Sequence, residues 1–342
     1  MRQMIETVRA LLAYPKGLLA MDESNGTCDK RFAAAGIPQT VDARRAYREL
    51  IITAPGLSEC VSGVILYDET IRQSRADGTP FVKLIQNAGI VPGIKVDTGA
   101  KDLAGHASEK VTEGLDGLRE RLREYFEMGA RFAKWRAVIA IAERRPSRAC
   151  IEANAHALAR YAALCQEAGV VPIVEPETIM DGRHSMAACA ETTETVLRAL
   201  FACLAEQGVA LEALILKPNM VLPGSASPEL PTAAAVAEAT CSVLRRVVPA
   251  EVPGVAFLSG GQSGELASAR LNAMNASPSP NAAAPWTLTF SYARAIQQPA
   301  LEIWAGQDAN KSRAQAALLH RARCNRAARQ GRYSPATEAS GA

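Results

Sequence analysis

The sequence predicts an α/β fold in which strands alternate with helices, and three observations carry this prediction. Eight short apolar runs recur along the 342 residues, and each ends in polar or charged residues. Most of the segments between them have helical periodicity. The first run continues into Asp22 and Glu23 rather than into the glycine-rich turn of a doubly wound sheet. We therefore predict a closed (β/α)8 barrel, the TIM barrel.

The eight predicted strands share an apolar body and a polar end. In chain order they are Gly17–Asp22, Gly63–Glu69, Gly93–Asp97, Phe132–Ile141, Val171–Glu177, Ala213–Lys217, Gly254–Gly261 and Trp286–Tyr292. The clearest helices between them are Leu115–Met128, Arg148–Ala168, Ala187–Glu206 and Ala233–Val247. Gly129 and Gly169 follow the first two helices and are interpreted as their C-terminal caps.

The ends of the chain are assigned by composition. Residues 1–17 are predicted to begin with an amphipathic helix rather than a signal peptide, because Glu6 and Arg9 interrupt the apolar stretch. Residues 1–333 are predicted to form a single catalytic domain, since no linker or internal repeat divides them. The stretch Ser277–Pro285 is predicted to be a loop, and residues 334–342 a short disordered tail.

Charge and cysteine usage restrict the class of protein. The chain has 38 Lys and Arg against 35 Asp and Glu, which is no nucleic-acid-binding signature. No apolar run approaches the roughly 20 residues that span a bilayer, so no membrane contact is predicted. Eight cysteines without a CxxC pair indicate the reduced thiols of a cytoplasmic protein.

No metal or cofactor is predicted. The four histidines, at 106, 156, 184 and 320, form no HxxxH pair or similar ligand spacing. Glu175, Glu177 and Asp22 would suit magnesium, but the neighbouring lysines would compete for their carboxylates.

Polar residues collect where the predicted strands end, which is the catalytic face of barrel enzymes. They are Asp22, Lys95, Asp97, Lys134, Arg136, Glu175, Glu177, Lys217, Ser259 and Arg294. Strand alternation places Lys134 and Arg136 on one face, with Trp135 turned away. Structural ion pairs would explain one such residue, but repetition at eight strand ends favours a catalytic site, since buried charges are costly.

Lys217 ends the apolar run ALILK and is predicted to be a nucleophile. A free lysine, with a pKa of about 10.4, is rarely neutral at pH 7, but neighbouring cations and desolvation lower a lysine pKa. Lys134 is the neighbouring cation, and Glu175 and Glu177 are available to move protons. We therefore expect Lys217 to form a Schiff base, whose iminium is an electron sink that eases cleavage of the carbon–carbon bond beyond it.

Two candidate phosphate sites flank this lysine. The first comprises Ser259, Gly260, Gly261 and Arg294, in the loops after strands seven and eight that often bind phosphate in barrels. The second comprises Ser24, Thr27, Lys30 and Arg31 after strand one. Taken alone, Ser-Gly-Gly also fits an ordinary turn, and Lys30-Arg31 also fits an exposed helix pair. Two anchors would suit a small-molecule sugar bisphosphate.

Eight sequence blocks, taken together, resemble class I fructose-1,6-bisphosphate aldolases. They are GLLAMDESNGTCDKR, GVILYDET, GIKVDTGAKDLAGH, EGLDGLRERLREYFEMGARFAKWRAV, VPIVEPE, LILKPNMVLPG, FLSGGQSGELAS and PWTLTFSYARA. They occur in family order over residues 15–305, and several are too long for chance agreement.

The resemblance implies a role for each matching residue. Lys217 matches the Schiff-base lysine and Asp22 the aspartate that assists the carbinolamine steps and carbon–carbon cleavage. Glu175 and Glu177 match the acid–base pair, and Lys134 the lysine beside them. The matches to substrate and phosphate contacts are Ser24, Thr27, Lys30, Arg31, Lys95, Arg136, Ser259, Gly260, Gly261, Ser291 and Arg294.

The implied reaction is reversible cleavage of fructose 1,6-bisphosphate to dihydroxyacetone phosphate and glyceraldehyde 3-phosphate, without metal or cofactor. The resemblance further implies a cytoplasmic homotetramer acting in glycolysis, gluconeogenesis or the Calvin cycle. Two alternatives stay open at this point. One is another Schiff-base sugar-phosphate aldolase, of the sedoheptulose-bisphosphate or transaldolase type. The other is a catalytically silent scaffold paralogue, against which the intact catalytic set argues.

Two departures from the family pattern concern the phosphate site and the tail. Ala293 stands where the family usually has glycine, so its methyl group is expected to tighten the site unless its φ is compatible. Many relatives carry a longer tail ending in a tyrosine that assists proton exchange on the enamine. Because the tail stops about ten residues after Tyr333, we expect a slower or tyrosine-independent proton step.

Overall fold

A closed barrel of eight parallel strands forms the centre of the computed structural model, which describes residues 1–276 and 284–339. The strands are β1 (Gly17–Ala20), β2 (Val61–Leu66), β3 (Val91–Lys95), β4 (Gly99–Asp102), β5 (Lys110–Glu113), β6 (Phe132–Ile139), β7 (Val171–Thr178), β8 (Ile215–Leu216), β9 (Gly254–Phe257) and β10 (Thr287–Tyr292). All except β4 and β5 belong to the barrel, and β1 closes the ring by pairing with both β2 and β10. The predicted (β/α)8 barrel is confirmed.

Helices surround the barrel and connect its strands. They are α1 (Arg2–Leu11), α2 (Asn25–Ala34), α3 (Val41–Ile52), α4 (Asp68–Ile71), α5 (Phe81–Asn87), α6 (Leu118–Met128), α7 (Arg148–Glu167), α8 (Met186–Glu206), α9 (Ala233–Val247), α10 (Gly264–Asn275), α11 (Arg294–Trp304), α12 (Lys311–Arg329) and α13 (Pro335–Ala339). Gly129 ends α6 with a φ of 112°, in the left-handed region that glycine adopts without strain. No helix among the described residues is both long and apolar enough to cross a membrane.

Alternating strand residues divide the core into two layers. The barrel interior is filled by side chains such as Phe132, Ile173 and Ile215. Leu216 and Trp135 belong instead to the larger core between barrel and helices, where the Trp135 ring lies 5.5 Å from that of Tyr161. The prediction that Trp135 turns away from the barrel interior is therefore confirmed. Every second residue after Phe132 and after Ile173 points into the barrel.

Three segments differ from the sequence expectations or lie outside the described residues. The polar strands β4 and β5 form an antiparallel hairpin that was not predicted. The expected disordered tail is wrong for Pro335–Ala339, which form α13, because Glu338 accepts hydrogen bonds from Tyr333 and Arg321. Residues 277–283 of the predicted loop Ser277–Pro285, and residues 340–342 of the tail, lie outside the described residues.

Candidate active site

A cavity of about 390 Å³ opens at the C-terminal ends of the barrel strands. The predicted site residues that line it are Asp22, Thr27, Lys30, Arg31, Lys134, Arg136, Glu175, Glu177, Lys217, Ser259, Gly260, Gly261, Ser291 and Arg294. Ser24 and Lys95 are the two predicted site residues that do not line it. The fold therefore brings together residues from six separate segments of the chain.

The floor of the cavity holds two lysines and two carboxylates in contact. The carboxylate of Glu175 bridges the lysines, since its Oε1 lies 3.1 Å from Lys217 Nζ and its Oε2 lies 3.3 Å from Lys134 Nζ. Lys134 Nζ also lies 2.6 Å from Asp22 Oδ2. The side chains of both lysines and of Glu175 are only 4% exposed. These charges are thus held in a nearly dry site, where they depend on one another.

Strand geometry explains how this contact arises. Lys134 lies in β6 and Glu175 in β7, and these strands pair in parallel with Lys134 opposite Ile173. Ile173 pairs in turn with Ile215 of β8, two residues before Lys217. Side chains that are two residues apart on a strand point the same way, so all three charged groups project from neighbouring strands into the barrel mouth.

The contacts determine the charge states. Burial opposes ionisation of Asp22, but Lys134 and Lys217 outweigh it and lower its pKa to about 2. Burial likewise opposes charge on Lys134, yet Asp22 and Glu175 raise its pKa well above the ordinary lysine value. The same two lysines hold the pKa of Glu175 below its usual range against the effect of burial. At neutral pH the floor therefore carries two carboxylates and a fixed Lys134 ammonium.

One oxygen of Glu175 stands out within this network. Its Oε2 is buried and makes no hydrogen bond among the described residues, although it lies within ion-pair distance of Lys134. The 3.3 Å contact with Lys134 is an ion pair but not a hydrogen bond, because its angles are unfavourable for one. This oxygen is consequently free to accept a proton from a bound molecule.

A second ion pair lies at the edge of the cavity. Arg136 Nε contacts Glu177 Oε2, and the Arg136 side chain remains 43% exposed while that of Glu177 is buried. Lys95 does not line the cavity, and its Nζ donates to Asp97 Oδ1 at 2.5 Å. Asp97 also accepts from the backbone N–H of Arg136 at 3.2 Å. Lys95 and Asp97 are two residues apart and therefore point the same way, so that they pair with each other.

The first predicted phosphate site is a glycine turn facing an arginine. Gly260 and Gly261 have φ values of 54° and 85°, and their N–H groups donate no hydrogen bond within the described residues. A Cβ built on Gly261 would lie 3.5 Å from Arg294 Nη2. The hydroxyl of Ser291, nearly fully buried beside them, also lacks a partner among the described residues. Unpaired N–H groups beside a guanidinium form an anion-binding concavity.

Ala293, which directly precedes α11, lines the same cavity. Its φ of −106° is not in the left-handed region that favours glycine. The φ of Ala293 is therefore compatible with alanine, and its methyl group is not expected to tighten the phosphate site through a backbone conflict.

The second predicted phosphate site is divided by the structure. Ser24 caps α2, since its Oγ accepts from Thr27 N at 3.4 Å and lies 3.1 Å from Thr27 Oγ1. Thr27, Lys30 and Arg31 line the cavity from the same helix. Arg31 is not free, because its Nη1 lies 2.5 Å from Glu23 Oε1.

Sequence reasoning missed Glu23 as a cavity residue. Its carboxylate lies between Arg31 and Arg48, whose Nη1 is 2.8 Å from Oε2, and it also accepts from Gln297 at 3.1 Å. Burial opposes its ionisation, but Arg48 and Arg31 keep its pKa below the ordinary value. Its place directly after Asp22 was no signal, since strand alternation predicts that consecutive residues point to different sides.

The barrel and the buried lysine–carboxylate site at its C-terminal mouth define this chain as a barrel enzyme. Comparison with known proteins identifies its family. The family model described as fructose-bisphosphate aldolase class-I matches residues 3–342. A probable fructose-bisphosphate aldolase class 1 of Xanthomonas campestris is 54% identical over 332 residues, covering 97% of this chain and 98% of that protein.

More distant relatives agree. The cytosolic fructose-bisphosphate aldolase 5 of Arabidopsis thaliana is 50% identical, covering 97% of this chain and 92% of that protein. A crystal structure of fructose-bisphosphate aldolase from Plasmodium falciparum, in complex with TRAP and a small-molecule inhibitor, superposes with a TM-score of 0.94. It is 45% identical and covers 97% of this chain and 95% of that one. The chain therefore belongs to the class I fructose-bisphosphate aldolase family, as the sequence blocks indicate, and is an aldolase, a lyase.

Proposed function

We propose that the chain cleaves fructose 1,6-bisphosphate reversibly to dihydroxyacetone phosphate and glyceraldehyde 3-phosphate through a Schiff base on Lys217. One observation carries the proposal. Lys217 Nζ lies 3.1 Å from a carboxylate oxygen of Glu175 on the floor of the cavity, with only 4% of either side chain exposed. A buried amine beside a proton acceptor is the arrangement that covalent catalysis by lysine requires.

The reaction begins with attack of the Lys217 amine on the C2 carbonyl of the ketose. Glu175 accepts the proton from nitrogen and returns it to the departing hydroxyl, so that the carbinolamine loses water and becomes an iminium. The iminium withdraws electrons from the C3–C4 bond. Loss of the C4 hydroxyl proton then releases glyceraldehyde 3-phosphate and leaves an enamine, which is protonated at C3 and hydrolysed to dihydroxyacetone phosphate.

The remaining floor residues position these groups. Lys134 stays protonated and holds both Glu175 and Asp22 by ion pairs, which fixes the proton acceptor beside the nucleophile. Asp22 stays ionised through its low pKa and is available to stabilise the cationic carbinolamine and iminium. Glu177, held by Arg136, is the second acid–base group of the proposal.

The two phosphates are assigned to opposite sides of the cavity. The unpaired N–H groups of Gly260 and Gly261, with Ser259, Ser291 and Arg294, are proposed to bind one of them. Thr27, Lys30 and Arg31 are proposed to bind the other. Two cationic anchors separated by the nucleophile suit a bisphosphate better than a monophosphate.

Borohydride reduction in the presence of dihydroxyacetone phosphate tests the proposal. Borohydride converts the iminium into a stable secondary amine, so peptide mass mapping is expected to find the adduct on the peptide that contains Lys217. The variant Lys217→Arg should form no adduct. The control Lys16→Arg changes a lysine that directly precedes β1, at the end of the barrel away from the cavity, and should form the adduct normally. An active enzyme that carries no adduct on Lys217 would contradict the mechanism.

We further propose that the enzyme is a cytoplasmic homotetramer that acts in sugar-phosphate metabolism such as glycolysis. The relatives of Arabidopsis thaliana named as cytosolic aldolases support the location, and the tetramer and the pathway rest on the family resemblance. We also propose that residues 1–333 form one catalytic domain, because Arg329 of α12 donates to the carbonyls of Leu12 and Ala13 after α1. Light scattering coupled to size-exclusion chromatography measures the oligomer, and a dimeric or monomeric mass would contradict the tetramer.

A further inference from the structure

Three potential metal ligands meet outside the active-site cavity, where α12 contacts α13. His320 and Cys324 are four residues apart on α12 and therefore lie on the same face of that helix. Glu338 of α13 packs over them. One ligand atom of each residue lies within 4.8 Å of the other two, and Cys324 is buried. None of the three lines the cavity that contains Lys217.

Two of the three distances between the ligand atoms match the edges of a zinc coordination tetrahedron, and the third is within 4.8 Å. His320 Nε2 lies 3.4 Å from Glu338 Oε1, and Cys324 Sγ lies 3.6 Å from His320 Nε2. Zinc bonds of about 2.0–2.1 Å to nitrogen and oxygen, and about 2.3 Å to sulfur, give tetrahedral edges of about 3.4 Å and about 3.6 Å. Little movement of the side chains is needed for a cation to contact both atoms of each pair.

Neighbouring residues hold the carboxylate of Glu338 in place. Tyr333 donates to its Oε2 at 2.6 Å, and Arg321 Nη1 donates to its Oε1. An ionised carboxylate has about four acceptor positions, so these two bonds leave room on the side that faces His320 and Cys324. Hydrogen-bonded partners of this kind orient metal-binding carboxylates. Arg321 also approaches Glu265 at 3.9 Å, which spreads its charge over two carboxylates.

We propose that His320, Cys324 and Glu338 bind a borderline-soft divalent cation of the Zn²⁺ class and thereby fasten α13 to α12. A thiolate and an imidazole select zinc over magnesium or calcium, which prefer oxygen ligands. Three protein ligands leave a fourth position for water. On binding, the Cys324 thiol releases its proton to solvent, and the thiolate and carboxylate then balance the charge of the cation.

Sequence reasoning passed over this site for a clear reason. The chain has no pair of histidines at ligand spacing, and the ligands here are a histidine and a cysteine on one helix. The third ligand comes from a segment that was expected to be disordered. Only the folding of α13 against α12 brings Glu338 to the other two.

Metal titration of the full chain tests the proposal. The purified enzyme is treated with a chelator, exchanged into metal-free buffer and titrated with Zn²⁺ by calorimetry and with Co²⁺ by absorption. We expect one Zn²⁺ per chain, a rise in the thermal midpoint, and a thiolate-to-cobalt charge-transfer band. Cys324→Ser and His320→Gln should each weaken Zn²⁺ binding at least roughly tenfold and remove the midpoint shift.

Matched controls separate this site from the other thiols and imidazoles. Cys203→Ser changes a partly exposed cysteine on α8, and His156→Gln an exposed histidine on α7, so both should bind as the parent does. Aldolase activity of the metal-free Cys324→Ser and His320→Gln variants should equal that of the parent, which verifies that they fold. Equal Zn²⁺ affinity in the parent and in these two variants, or a cobalt spectrum without a thiolate band, would overturn the proposal.

Discussion

The carboxylate of Asp22 and the ammonium of Lys134 lie 2.6 Å apart, with 10% and 4% of their side chains exposed. Neither charge is solvated by bulk water, so Asp22 is stabilised chiefly by Lys134 and Lys217, and Lys134 chiefly by Asp22 and Glu175. Breaking such a buried pair by removing one partner leaves an uncompensated charge, which is more costly than losing the attraction alone. The pair therefore links the stability of the fold to the chemistry of the cavity.

Replacing Lys134 with methionine is expected to reduce both activity and stability. The variant keeps the length of the side chain but leaves Asp22 and Glu175 without their shared cation. We expect kcat to fall roughly 100- to 10,000-fold, the range for loss of a positioned proton-transfer system. The free energy of unfolding should fall by about 3–5 kcal/mol. Steady-state kinetics and urea unfolding measure the two effects.

The charge and not the bulk of Lys134 is the relevant property. Lys134→Arg should therefore keep more of the stability than Lys134→Met does. Lys110→Met removes a lysine whose partner, Asp102, is exposed, and should change neither quantity appreciably. Unchanged kcat in Lys134→Met would show that this cation does not hold the proton acceptor.

The low pKa of Asp22 predicts a specific acid sensitivity. Its folded-state pKa of about 2 lies below the ordinary value of 3.8, so the stabilisation is present above pH 3.8 and is lost as the pH falls through 2. The shift corresponds to about 2 kcal/mol. Asp22→Asn, which cannot ionise, should therefore show a smaller loss of unfolding free energy over this interval. Urea unfolding at several acidic pH values measures it, with exposed Asp102→Asn as the control.

The glycine turn allows backbone strain to be separated from phosphate binding. Gly261 and Gly78 have nearly equal φ values, 85° and 83°, but only Gly261 lies in the cavity. Alanine at either position should reduce stability by roughly 1–2 kcal/mol, because L-residues are disfavoured in the left-handed region. Only Gly261→Ala should also raise KM, since its Cβ would lie 3.5 Å from Arg294 Nη2. An equal rise in KM for Gly78→Ala would refute a local role for the turn.

Much of the fold and the floor of the site could be predicted because both follow from strand periodicity. The apolar runs predicted the barrel strands. The alternation of side chains along a strand predicted that Lys134 and Arg136 share a face and that Trp135 points the other way. The hairpin of β4 and β5 escaped prediction because its residues are polar and mostly exposed, so no apolar face marks them. A strand can be predicted from its sequence when it packs against the core, because it then carries a recognisable apolar pattern.

Side-chain partners were less predictable, because they depend on neighbours that are distant in sequence. Lys95 was expected at the substrate, but Asp97 on the same face of the strand takes its ammonium. Ser24 is predicted to contact a phosphate, and its hydroxyl caps α2. Both residues have two chemically reasonable uses, and the sequence alone does not show which partner each one takes.

Glu23 is expected to act as a positioning residue for Arg31, and Glu23→Gln tests this. Glutamine has nearly the same shape but removes the charge that holds the guanidinium of Arg31 2.5 Å away and that of Arg48 2.8 Å away. We expect KM for fructose 1,6-bisphosphate to rise roughly tenfold, equivalent to about 1.4 kcal/mol of binding free energy, because Arg31 loses its fixed orientation. The value of kcat should change much less, since Glu23 does not contact Lys217 or Glu175.

Kinetics at fixed pH measure this split between KM and kcat, and two further variants define its origin. Glu167→Gln removes an exposed carboxylate that pairs with Arg119 on the outer surface, and should leave KM unchanged. Arg31→Gln removes the proposed phosphate contact itself, so adding Glu23→Gln to it should raise KM little further. If the two substitutions instead raise KM independently, Glu23 acts on the substrate by a route other than Arg31.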